Sequence, residues 1–71
     1  MLNMKKSLTE GDFVLMTNKF STHYLDIGEV LEIEYFPHSN DICLYRIQFG
    51  DTIKEYGYQV RDDLKVLMFE K

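Results

Sequence analysis

Seventy-one residues with a formal net charge of −4 fit one domain and leave no room for a second. An apolar content of 45% excludes a disordered chain, and no run approaches the roughly 18 apolar residues of a membrane span. The one cysteine, Cys43, excludes an internal disulfide, so the core must hold without a covalent staple, and the chain reads as cytoplasmic.

Residues 1–9 read as a flexible leader, because Lys5, Lys6, Ser7 and Thr9 stand in no apolar period. The domain is expected over 10–71. Thr9-Glu10-Gly11-Asp12 is a turn signal. In DFVLMT, Val14 and Met16 share one face of a first strand, and Phe13 and Leu15 the other. NKFSTHYLD is polar with Phe20 and Tyr24 embedded, and reads as a long loop. In EVLEIEYF, Leu31, Ile33 and Tyr35 alternate with Val30, Glu32 and Glu34. Pro37 ends this second strand, since proline has no N–H to give a ladder.

ICLYRIQF is the clearest strand. Cys43, Tyr45, Ile47 and Phe49 lie on one face, and Leu44, Arg46 and Gln48 on the other. Gly50-Asp51 turns the chain into TIKEYGYQV, where Gly57 signals a bulge or bend and Tyr56 and Tyr58 share a face. RDDL predicts one helical turn, and KVLMF a short last strand, after which Glu70 and Lys71 fray. Five short strands without a long amphipathic helix predict a small all-β barrel or sandwich. Its core is expected from Val14, Met16, Val30, Ile33, Tyr45, Ile47, Phe49 and Leu64.

The order EGDFVLM, DIGEVLEI, LYRIQFGDT, VRDDLKVL, over about residues 10–68, resembles an SH3-like barrel of the Tudor, KOW and agenet type. The resemblance implies a five-stranded barrel with a short helical turn before the last strand. It implies that Gly28 allows close backbone approach or positive φ, and that Asp63-Leu64 sets a leucine under the barrel. Tudor-like domains hold methylated lysine or arginine between rings of the first loop and of the third-strand end. Phe20, Tyr24, Phe49 and Asp51 match those positions, while Ile53 stands where that pattern has a further aromatic.

Residues 10–55 hold nine acids against Lys19, Arg46 and Lys54. Glu29, Glu32 and Glu34 read as an acidic edge that keeps the protein soluble, guards a strand, or imitates a phosphate row. The absence of a basic stripe counts against nucleic acid. RNA or ribosome binding would need Lys5, Lys6, Lys19, Lys54 and Arg61 to converge. His23 and His38 are lone, with no zinc-ligand spacing, and no catalytic constellation or cofactor motif is present. The expected function is therefore a non-enzymatic adaptor or subunit. It would bind another protein, one with a basic surface, through Phe20, Tyr24, Tyr35, Phe49, Asp51, Tyr56 and Tyr58 or through a free strand edge. Self-association through the same aromatic surface, and an acidic inhibitor of a mobile element, are the other readings.

Overall fold

The computed structural model describes residues 8–67. The chain forms five antiparallel strands: β1 Phe13–Met16, β2 Ile27–Tyr35, β3 Ile42–Phe49, β4 Thr52–Gly57 and β5 Leu64–Leu67. A 3₁₀ helix, Tyr58–Asp63, precedes β5. The strands make one sheet in the order β4-β3-β2-β1-β5. The all-β class and the helical turn before the last strand are thus as the sequence implies. Closure is not: among the described residues β4 and β5 are the two edges and do not pair. The 3₁₀ helix lies between them and packs on β3, β4 and β5.

One face of the sheet is the core. Val14, Met16, Val30, Tyr45, Ile47 and Phe49 are buried there, with Ile33 and Leu64 half-buried against them. Two members come from outside the expected set. Val60 is buried from the 3₁₀ helix, and Leu8, assigned to the leader, is only 5% exposed. Thr9 is also tied down, since its N–H donates to the Asp12 carboxylate and its carbonyl accepts from the Asp12 N–H. Gly11, at φ +92°, closes that turn in a conformation that costs glycine little. Residues 1–7 of the expected leader, with Lys5 and Lys6, lie outside the described residues, as do Met68 to Lys71.

Two irregularities bend the central strands. In β2 the ladder runs Val30↔Ile47 and then Glu32↔Arg46, so Leu31 is an extra residue. Strict alternation would set Val30 and Ile33 on opposite faces. The bulge returns both to the core side, and the Ile33 N–H donates to the Glu10 carboxylate at 3.1 Å. In β3 the pairs Glu34↔Leu44 and Tyr35↔Ile42 leave Cys43 as the extra residue. Ile42 rather than Cys43 therefore continues the packed face, against the simple alternation read from ICLYRIQF.

Gly28 pairs with Phe49 across β2 and β3. A Cβ there would stand 2.7 Å from the Phe49 ring and 2.8 Å from Ile47, so close approach, not positive φ, is what this glycine permits. Gly50, at φ +60°, opens the two-residue turn between β3 and β4, as tight hairpins require. Gly57 behaves differently from expectation. The β3–β4 register is unbroken through Leu44↔Gly57, and the strand ends there. Tyr58 consequently belongs to the 3₁₀ helix and does not share a strand face with Tyr56.

Candidate docking face

The expected aromatic site divides on folding. Phe20 and Tyr24 sit in the loop between β1 and β2, with Phe49 and Asp51 at the facing β3–β4 hairpin. Tyr35 lies at the far end of β2, seven residues beyond the Gly28–Phe49 pair, or roughly 20 Å along a twisted strand. Tyr58 is near that far end too, one residue after the Gly57–Leu44 pair. No single patch contains Tyr24, Phe49 and Tyr35.

The loop end shows why Phe49 offers no ring to a ligand. Phe49 is 3% exposed. The His23 imidazole is stacked on it, with centroids 4.6 Å apart and planes at 11°. The opposing position of an aromatic cage is thus filled by the chain's own His23, which from the sequence reads as an ordinary loop residue. The loop is held by several bonds. Asn18 donates to the Asp63 carboxylate, the Thr17 N–H and hydroxyl donate to the Asp63 carbonyl, and the Leu25 N–H donates to Met16. His23 Nδ1 lies 3.2 Å from Asp26 Oδ2. Phe20 projects from this braced loop at 97% exposure.

Tyr56 is half-buried, edge-on to Phe49 at 6.4 Å, with the Lys54 ammonium 6.0 Å from its ring centre. Its hydroxyl and that of fully buried Tyr45 are enclosed without a hydrogen-bond partner among the described residues. The Tyr56 hydroxyl thus does not reach water. Burial raises both phenol pKa values above the ordinary 10, because a phenolate would lose its hydration. For Tyr45 the nearby Arg61 charge partly opposes that rise.

The sheet's other face carries the arrangement that aromatic content did not reveal. Across four strands the register aligns Phe13, Glu29, Gln48 and Ile53. Phe13, Ile27, Glu29, Gln48 and the backbone of Gly28 and Gly50 line a shallow groove of about 290 Å³. Phe13 is 41% exposed, Ile27 54% and Ile53 55%. Large apolar side chains left partly open to water order the solvent around them, and clusters of them are what contact surfaces are made of.

One step along β3 from Gln48 stands Arg46, between Glu32 on β2 and Glu55 on β4. Its Nη1 donates to Glu32 Oε1 and to Glu34 Oε2, both at 2.8 Å, and its Nε to Glu55 Oε2 at 2.9 Å. The hydrogen bond to Glu34, with that to Glu55 and the charges of both, raises the already high guanidinium pKa further. The acidic run of β2 is therefore not an edge, since β2 lies inside the sheet between β3 and β1. It is a carboxylate row built around one arginine, with two negative charges in surplus. Arg46 is committed to that row and is not part of a basic surface.

Among the described residues, no helix is long and apolar enough to cross a membrane, and no three His, Cys, Asp or Glu side chains gather as a metal site would require. Cys43 is free and half-buried. Comparison with protein-family models, curated proteins and solved structures finds no match to this chain.

Single residues of this face were within reach of sequence reasoning, but their gathering was not. Phe13, on the face opposite Val14 and Met16, and Ile53, where the Tudor-like pattern has an aromatic, are apolar residues outside the expected core. Singly, exposed apolar residues are ordinary; only the register that brings them together makes them a patch.

Proposed function

We propose that this protein is a non-enzymatic protein-binding module of the SH3-like type, and that it docks through the outer face of its sheet. The observation that carries the reading is Phe13 and Ile27, partly exposed at the walls of one groove, with exposed Ile53 in register beside its Gln48. The strand order and the 3₁₀ turn before β5 support the SH3-like assignment, although the edges do not join. The surplus of carboxylates beside the groove favours a partner with a basic surface.

The free edge of β4 is the weaker surface. Lys54 pairs with Ile47, whose side chain is in the core, so the lysine stands at the inner side of the edge strand. Inward-facing charge of this kind discourages strand addition. Self-pairing is also disfavoured. A two-fold axis through the sheet pairs residues of the same face. In the two registers that pair most of β4, Lys54 meets Lys54 or Glu55 meets Glu55, and like charges directly opposite repel.

The test is affinity capture from a lysate with wild type beside a Phe13→Ser/Ile53→Lys variant of unchanged circular dichroism. A protein held by the wild type and lost by the variant supports the reading. Capture of nucleic acid alone, or a protein held equally by both, overturns it. A Tyr24→Ala variant alongside reports whether the loop end takes part.

A further inference from the structure

The groove and the carboxylate row have a fixed spacing, and the spacing selects a ligand. Gln48 at the groove and Arg46 in the row are two residues apart on one face of β3, which in a strand is roughly 6.5 Å. An extended peptide repeats its side chains on one face at the same interval. A segment lying along β3 therefore presents one side chain to the groove and the next of that face to the carboxylates. Phe13 and Ile27 are the groove's apolar walls, and Glu29, Gln48 and the backbone of Gly28 and Gly50 complete its lining, so an aliphatic or aromatic side chain can pack on those two walls while its backbone meets polar groups. Glu32 and Glu55 flank the second position, with Glu29 beside the first. Arg46 satisfies one oxygen of each of its three glutamates but neutralises only one of their charges.

We infer that the docking face takes an extended segment of a partner protein in which an apolar residue is followed or preceded, two positions away, by a lysine or arginine. This deepens the protein-binding reading and rests on it. The apolar side chain supplies contact area. The cation supplies selectivity, because an acidic residue at that position would meet the row's surplus charge. An adjacent cation, one position away, points from the opposite side of an extended peptide and does not reach the row.

Twelve-residue synthetic peptides titrated into the ¹⁵N-labelled full chain test this, with amide shifts as readout. A Leu-Ser-Arg peptide in a Gly/Ser frame is expected to bind about three- to ten-fold tighter than Leu-Ser-Glu, as exposed ion pairs allow. It should also bind tighter than Leu-Arg-Ser, and shift the amides of Phe13, Ile27, Gln48 and Glu55. A Glu32→Gln/Glu55→Gln variant should erase the discrimination and keep the apolar contact. Equal binding of all three peptides at the groove overturns the inference and leaves the protein-binding reading standing. So does capture of a whole protein through Phe13 and Ile53 without binding of any peptide. Loss of both peptide binding and variant-sensitive capture overturns both.

Discussion

The two faces of this sheet are built from the same strands and alternate residues, and they obey different rules. On the inner face, Val14, Val30, Tyr45 and Ile47 are wholly enclosed, and the Gly28–Phe49 contact leaves no space for a methyl group. On the outer face, apolar side chains stand open beside a row of ion pairs. Volume decides which residues the inner face accepts. Charge and exposure decide on the outer face, where a substitution changes little in the fold. A sheet this small has few residues to spare for stability, yet Ile27 and Ile53 are more than half exposed on its outer side.

Substitutions can break that contrast. Ile47→Ala removes a fully buried side chain, and should cost about 2–5 kcal/mol through lost transfer energy and a cavity. Urea unfolding measures this, and an unchanged midpoint would show that the inner face is not the packed one. Gly28→Ala should cost about 1–3 kcal/mol by overpacking against Phe49 and Ile47. A shift of the His23 and Phe49 resonances would locate the strain.

Smaller effects sharpen the contrast. Arg46→Gln leaves Glu32, Glu34 and Glu55 facing one another without their cation. It should lower stability at low ionic strength, and added salt should narrow the deficit, because these charges are screened. A deficit indifferent to salt would argue that packing, not charge, holds the outer face. Ile53→Lys should alter stability by no more than about 0.5 kcal/mol, as exposed positions do, while abolishing docking.

The buried phenols give a pH test. Burial raises the Tyr45 and Tyr56 pKa values in the folded state, so above pH 10 the unfolded chain releases protons that the folded chain keeps. Stability should therefore be intact below about pH 10 and fall as pH rises beyond it. Tyr45→Phe should remove its share of that fall. At neutral pH it should be neutral or slightly stabilising, since the hydroxyl it deletes has no partner among the described residues and a buried unsatisfied hydroxyl is a cost.

Much of the fold is legible in the residues, because period-2 patterns and turn chemistry are local. β3 runs over Ile42–Phe49, the stretch that ICLYRIQF marks out, and Gly50-Asp51 makes the hairpin turn. The bulges at Leu31 and Cys43 are not legible. A bulge depends on the facing strand, and alternation within one strand carries no trace of it. Leu8 was hidden for a related reason: one apolar residue among polar neighbours has no period, yet it packs on the core when a turn carries it there. The aromatic site failed because composition gives no distances. Tyr35 and Phe49 read as companions, but they lie at opposite ends of the β2–β3 ladder. The docking face required knowing which residues of four strands are neighbours, and register supplies that only after folding.

The His23–Phe49 stack also furnishes the molecule with a built-in spectroscopic gauge. An imidazole lying parallel to a phenyl ring at 4.6 Å sits in that ring's shielding zone, so its carbon-bound protons should resonate upfield of those of an open histidine. Because His23 belongs to the β1–β2 loop and Phe49 to the β3–β4 hairpin, the size of that displacement reports how firmly two distant parts of the chain are latched. A label-free proton spectrum can follow that latch under heating, in denaturant or on addition of a partner.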